Sequence, residues 1–306
     1  MSQIFDALQR SEAERAGIAL TDLGSATELL QAAERATIDA VPVANTVAGM
    51  ASKLEEPSQA TPYPEFESMP VSIAPESKLV CLMERESLAA EKFRFLGVRL
   101  RQFKQTRPLK KILITSTCPN EGKSMVAANL ACTLARKRQQ RTLLLDGDLR
   151  RPVLAQQFGL GKVPGLSEWL QHGPGPISNI YRLESAGLWI LPAGSTPQNP
   201  LELMQTGALS VLIEQLAASF DWIVVDSPPV LPLADASVWL RLVDGFLLVT
   251  RRGISEKKQL KKGLEALDQS KLLGTLINSS TDVVPSEYDY HYGSRGSSSR
   301  EDTPQN

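Results

Sequence analysis

Short apolar runs alternate with longer amphipathic stretches through most of this chain. The runs lie at 112–116, 142–146, 188–191, 222–226, 246–250 and 272–277. Each is continuous and rich in aliphatic residues, the pattern of parallel strands buried on both faces. Helix-like stretches at 124–137, 201–219, 232–241 and 255–268 fall between them. A long amphipathic helix is expected at 86–103, where Leu96, Leu100 and Phe103 share an apolar side and Arg94, Arg99 and Arg101 supply charge. A short helix is expected near 166–170, within a Gly- and Pro-rich region at 160–180. Alternation with short connections predicts an α/β fold, a doubly wound and mostly parallel sheet with helices on both faces.

The pattern fades at both ends. Residues 1–36 read as helix, with Ile4, Phe5 and Leu8 on one face and a break near Gly17 and Gly24. Such a helix is too short to be stable alone, so it reads as a docking segment, with a frayed end as the plain alternative. In 37–78, Pro42, Pro57, Pro62, Pro64, Pro70 and Pro75 recur among Ser, Ala and Glu. That composition cannot bury enough apolar surface to offset chain entropy, and a disordered linker is expected. The core then spans 79–282, and 283–306 reads as a flexible tail. Tyr288, Tyr290 and Tyr292 alternate there with Asp289 and His291, after Glu287. In extended chain they project to one side. Packing on an edge strand is one use for them. Exposed tyrosines among acids on a flexible tether are also what a kinase could modify, each phosphate adding about −1.5 to −2 charges.

Composition narrows the setting. The chain has 306 residues and a formal net charge of −1, so there is no global electrostatic case for nucleic acid. Residues 1–78 hold 12 acids and 5 bases, a net −7, which leaves +6 on the remainder. The three cysteines, Cys81, Cys118 and Cys132, have no paired spacing and suit a reducing compartment. No apolar run approaches the ~20 residues of a membrane helix, and the start lacks the apolar stretch of a secretory signal. A cytoplasmic protein is expected.

The candidate chemistry sits at the ends of the strands. Thr115-Ser-Thr-Cys-Pro-Asn-Glu-Gly-Lys-Ser124 follows an apolar run and opens a helix former. Strand, tight loop and helix are the context of a phosphate-binding loop, in which backbone N–H groups and the helix N-terminus converge on one spot. Thr117 stands where the motif's first Gly is usual. Pro119, Asn120, Glu121, Gly122, Lys123, Ser124 and Met125 are the expected nucleotide contacts. Lys123 can reach the β- and γ-phosphates, and the Ser124 hydroxyl can ligate Mg²⁺. Two further runs end in acids, at Asp146 and Asp148 and at Asp226. Ligands of open α/β sheets bind beyond the carboxyl ends of the strands, so these acids should meet the loop at one edge.

Together, the loop, the run Leu143-Leu-Leu-Asp-Gly-Asp-Leu-Arg150, the run Ile223-Val-Val-Asp-Ser-Pro-Pro229 with Asp235 downstream, and the tail tyrosines resemble the bacterial tyrosine kinases of capsule and exopolysaccharide synthesis. The likeness covers about residues 80–292. The start, Met1-Ser-Gln-Ile-Phe-Asp-Ala-Leu-Gln-Arg10, also resembles the exosortase-associated branch of such autokinases. The resemblance implies a P-loop NTPase that uses ATP and Mg²⁺ to phosphorylate tyrosine. Lys123 would hold the β/γ-phosphates, and Ser124, Asp148 and Asp226 the metal and its waters. Asp146 would accept the tyrosine proton, with the Asp146 and Asp148 roles exchangeable. Tyr288, Tyr290 and Tyr292 would be the acceptors, modified in trans within a homo-oligomeric ring. Glu91 and Arg94 match a helical Glu-x-x-Arg-x-x-Arg contact motif, but Gly97 stands at its last position. The resemblance further implies a membrane chain-length-determining activator, a tyrosine phosphatase, and a place at the inner face of the membrane.

Two other classes share these features. A positioning ATPase of the MinD/ParA kind would switch on ATP without transferring phosphate, but it carries an extra lysine where this chain has Cys118. A silent adaptor modified by another kinase would not need Lys123, Ser124, Asp146, Asp148 and Asp226 together.

Overall fold

The computed structural model describes residues 66–73 and 77–278, apart from 138, 174, 232–233 and 254–256. The docking segment 1–36 and the tail 283–306, with its three tyrosines, lie outside the described residues.

The described residues form an eight-stranded sheet in the order β1-β4-β5-β3-β6-β2-β7-β8. The strands are β1 Glu67–Met69, β2 Lys111–Ser116, β3 Thr142–Asp146, β4 Tyr181–Leu183, β5 Leu188–Leu191, β6 Trp222–Asp226, β7 Gly245–Arg251 and β8 Leu272–Asn278. All neighbours are parallel except β4 and β5. Every apolar run read as a strand is one.

The helices are α1 Val80–Met83, α2 Leu88–Thr106, α3 Lys123–Ala135, α4 Leu154–Gln157, α5 Leu166–His172, α6 Pro200–Met204, α7 Ala208–Ser219, α8 Asp235–Leu242 and α9 Lys257–Glu265. Ser87 caps α2 by accepting the Ala90 N–H at 3.2 Å. The helix ends just before Pro108, which cannot continue it.

Period-two alternation divides the strand side chains between two cores. Ile112, Ile114, Leu144, Val224, Leu247 and Val249 face one side, where α2 and α3 pack. Leu113, Leu143, Leu145, Ile223, Val225, Phe246 and Leu248 face the other, under α5, α7 and α8. Each such side chain contributes roughly 1.5–3 kcal/mol on burial, enough to fix register strand by strand. Trp222 and Trp239 are fully buried, in keeping with packing roles.

Three expectations need correction. The stretch 201–219 is two helices, because Gly207 sits at φ 77° between α6 and α7. The expected linker 37–78 does not extend to residue 78. Residues 67–69 form β1 on β4, and Phe66 stacks on Phe220 with centroids 6.3 Å apart. β4 was also missed. Strands of three residues are too short to display alternation, and proline flanks β1. Finally, α8 begins at Asp235 rather than at 232.

Candidate active site

β2 lies between β6 and β7, and β3 lies on the far side of β6. This order brings the loop after β2 beside the ends of β3 and β6. Register does the rest, since Asp146 pairs directly across from Asp226. The sheet therefore collects Asp146, Asp226, Lys123 and Ser124 at one edge.

The loop keeps its shape through its own residues. Asn120 has φ 64° and Gly122 φ 93°, both left-handed. Asn tolerates that conformation better than most side chains. At Gly122 a Cβ would also fall 2.2 Å from the Asn278 amide. The Glu121 side chain turns inward. It is fully buried, and its carboxylate accepts the Thr117 hydroxyl at 3.0 Å and the Cys118 N–H at 2.8 Å. It braces the position where the motif's usual glycine is missing. Pro119, Asn120, Gly122, Lys123, Ser124 and Met125 line a cavity of about 730 Å³. That volume lies within the range of small-molecule sites.

Lys123 Nζ contacts Asp148 Oδ2 at 3.1 Å. Burial works against the lysine charge, but Asp226, Asp148 and Asp146 outweigh it and raise the Lys123 pKa. Asp148 lines the cavity. Its other oxygen accepts the Arg151 N–H at 3.1 Å.

Asp146 is differently placed. It is fully buried, and one oxygen accepts the Asp148 N–H at 3.3 Å. The other accepts the N–H groups of Val153 and Leu154 at 3.2 and 3.1 Å, which anchors the start of α4. Burial and the facing Asp226 charge push its pKa well above the carboxylate range.

Both Asp226 oxygens are buried, with no hydrogen-bond partner among the described residues. Burial raises the Asp226 pKa. Lys123, and the Ser124 hydroxyl that falls short of hydrogen-bond geometry, act in the opposite direction.

These observations fit a divalent cation. Three acids face one lysine, and the orphaned Asp226 carboxylate lies near the Ser124 hydroxyl. No group of three His, Cys, Asp or Glu among the described residues could chelate a metal. Mg²⁺ keeps several waters and takes only one or two protein ligands beside substrate phosphates, so a Ser124 and carboxylate site matches its habits.

Several site residues lack any local signal in the sequence. Gly147 is one. A Cβ there would fall 2.7 Å from both the Asp226 carbonyl oxygen and the Trp239 ring. The Gly147 N–H donates to that oxygen at 2.8 Å, and Trp239 Nε1 donates to the Gly147 carbonyl at 3.1 Å. Arg150 makes a two-point contact with the buried Asp235, at 2.7 and 3.1 Å, fixing the loop after β3. Lys78, Gln157 and Asn278 come to the cavity wall from outside the sequence motifs, and Arg151 directly follows the run that ends at Arg150. Gln157 presents a buried Oε1 without a partner among the described residues.

Glu91 and Arg94 lie on α2 as expected, and they pair with each other. Gly97 is buried, and a Cβ there would meet Thr133 of α3 at 3.2 Å. It is a helix-packing position.

No protein-family model matches the chain. Curated relatives do match. Over 222 residues the chain is 34% identical to the tyrosine-protein kinase YwqD of Bacillus subtilis (strain 168), covering 72% of this chain and 93% of that protein. The chain belongs to the bacterial tyrosine-protein kinase family. Solved structures agree with the fold. The chimerical protein CapA2B2 matches with a TM-score of 0.62 and 32% identity, over 68% of this chain and 92% of that one. The kinase domain of the Escherichia coli tyrosine kinase ETK matches with a TM-score of 0.62 and 28% identity, over 66% and 79%. Among the described residues, no helix is long and apolar enough to cross a membrane.

Proposed function

We propose that this kinase transfers the γ-phosphate of ATP to Tyr288, Tyr290 and Tyr292 of a neighbouring copy. The observation that carries the reading is the Lys123–Asp148 ion pair at the cavity wall, together with an Asp226 carboxylate that has no hydrogen-bond partner among the described residues. The phosphates of ATP compete with Asp148 for Lys123. Once Lys123 moves to them, Asp148 is left facing the cavity with a free oxygen. The tyrosine oxygen attacks the γ-phosphorus in line, ADP leaves, and the phenolic proton passes to a carboxylate. Of the two exchangeable roles, the structure favours Asp148 for that proton. Asp146 has both oxygens committed to backbone N–H groups, which suits a positioning role. Ser124 and Asp226 would hold Mg²⁺, which would supply neutralisation of phosphate charge. Positioning and charge neutralisation supply most of the rate in such reactions.

The resemblance supports the wider setting. We assign the chain to exopolysaccharide or capsule synthesis, with a membrane chain-length-determining activator holding it at the inner face of the membrane. A homo-oligomeric ring would bring each tail to its neighbour's site, with Glu91 and Arg94 at the contact. A tyrosine phosphatase would reset the tail. Deleting residues 1–36 should weaken co-purification with the activator, and unchanged recovery would refute their docking role.

The test of the core reading is incubation with Mg²⁺ and γ-labelled ATP, followed by peptide mapping. Label on the tail, lost in Lys123→Met and in the triple Tyr→Phe variant, is expected. ATP hydrolysis without label, even with the activator's cytoplasmic segment supplied, would point to the switch ATPase.

A further inference from the structure

We infer that Arg151 selects acidic acceptor sequences, and that Glu287 and Asp289 are part of what the site recognises. This rests on the tyrosine kinase reading of the same site. The cavity wall carries five basic side chains, Lys78, Lys123, Arg150, Arg151 and Arg251, against one acid, Asp148. Most of these charges already have work. Lys123 pairs with Asp148 and is destined for phosphate, and Arg150 is locked on Asp235. Arg251 donates toward the Asn120 carbonyl at 3.5 Å. Lys78 and Arg151 remain, both exposed at the wall with no side-chain ion-pair or hydrogen-bond partner among the described residues. Of the two, only Arg151 is joined directly to Asp148, and only arginine offers a fork of donors.

Its anchor point is informative. The Arg151 backbone N–H donates to Asp148 Oδ1, the carboxylate that faces the acceptor hydroxyl. The arginine stem and a tyrosine side chain are of comparable length. A tyrosine whose hydroxyl reaches Asp148 therefore holds its backbone near the level of the Arg151 head. In extended chain the residues on either side of that tyrosine point away from the cleft floor and pass the rim. In this tail those flanking residues are Glu287 and Asp289 around Tyr288, and Asp289 again before Tyr290. Arginine is the side chain best suited to bind such carboxylates, through two parallel N–H donors. An acidic peptide would then find its charge met at the rim while Lys123 handles the phosphates below. The contact helps binding and does not change the transfer step.

The experiment uses the full chain carrying Tyr288→Phe, Tyr290→Phe and Tyr292→Phe, so that its own tail does not compete as an acceptor. The acceptors are three synthetic peptides of residues 284–294: the native sequence, a Glu287→Gln/Asp289→Asn form, and a Glu287→Lys/Asp289→Lys form. The neutral peptide is expected to raise the peptide KM about tenfold, as loss of one charge-assisted contact would, with kcat preserved. Arg151→Gln should cause the same loss on the native peptide and add little on the neutral one. Arg151→Glu should prefer the lysine peptide. Equal KM for native and neutral peptides would overturn the inference. So would an Arg151→Gln effect confined to the KM for ATP, which would make Arg151 a nucleotide contact. If the unmodified site labels none of the peptides, and full-length wild type does not label its own tail either, the kinase reading falls and this inference falls with it.

Discussion

The two ends of the central strands are built on opposite rules. At the amino ends, charge is abundant, and much of it is paired with backbone or opposite charge. Asp244 accepts the N–H groups of Lys110 and Lys111, each at 2.8 Å, and Asp221 accepts that of Arg141 at 2.8 Å. Lys104 donates to the Asp221 carbonyl and lies 4.3 Å from the Trp222 ring centre. At the carboxyl ends, Asp146 and Asp226 are fully buried side by side, and the Asp226 carboxylate has no hydrogen-bond partner among the described residues. Burying like charges costs stability, and so does leaving a buried acceptor unpaired. The amino ends use charge to hold the sheet together. In the proposed reading, the carboxyl ends keep charge ready for a ligand that brings phosphate and a cation.

The contrast can be broken first at Lys123. Replacing it with Met should lower the transfer rate at least a hundredfold, roughly the effect of losing a positioned electrostatic contact, while the fold survives. Labelled-ATP transfer and circular dichroism measure the two. A paired test follows. Asp226→Asn should lower transfer about a hundredfold but leave the melting temperature unchanged or raised, because it removes a buried like charge. Asp244→Ala should do the reverse. It strips the acceptor from two backbone N–H groups, costs about 1–3 kcal/mol in urea unfolding, and leaves the rate per folded molecule within about twofold. If both variants lose stability and activity alike, the two ends do not differ as described. Next in size, Gly147→Ala should cost about 2 kcal/mol by driving a methyl into the Asp226 carbonyl and Trp239. It should also slow transfer by shifting the acids.

The smallest effect is a pH trend. Asp146 and Asp226 both have raised pKa values in the fold, by burial and, for Asp146, the facing Asp226 charge. Between the unfolded and folded values the native state holds protons that the unfolded chain has released. Their contribution is therefore complete below about pH 4 and is lost as pH rises through the folded values. Thermal melts of the nucleotide-free chain should fall from mildly acidic to alkaline pH, and the slope should flatten in Asp226→Asn. An unchanged slope would mean that the pair does not titrate in this way.

How much of this could be read from the sequence depended on distance along the chain. The long strands were legible because their apolar runs are continuous and end in Asp146, Asp226 or the loop. The loop itself was legible because its residues are consecutive. Motif position does not say which way the Glu121 side chain turns, and it turns inward to Thr117. The roles of Asp146 and Asp148 stayed open because two acids separated by one glycine look alike until hydrogen bonds distinguish them. Gln157 and Asn278 reach the cavity through the tertiary fold, and no local spacing marks them. Nor could β1 and β4 be seen, since three residues carry too little pattern.

The central claim is transfer from one copy to the tail of another, and a mixing experiment tests it most directly. A Lys123→Met chain can only accept phosphate, and a Tyr288→Phe/Tyr290→Phe/Tyr292→Phe chain can only donate it. Neither should acquire label on its tail alone. Mixed with Mg²⁺ and γ-labelled ATP, the account predicts phosphotyrosine on the tail of the Lys123→Met chain. Strong labelling of wild type with none in the mixture would contradict transfer between copies. Hydrolysis with no phosphotyrosine in either sample would contradict the kinase account as a whole.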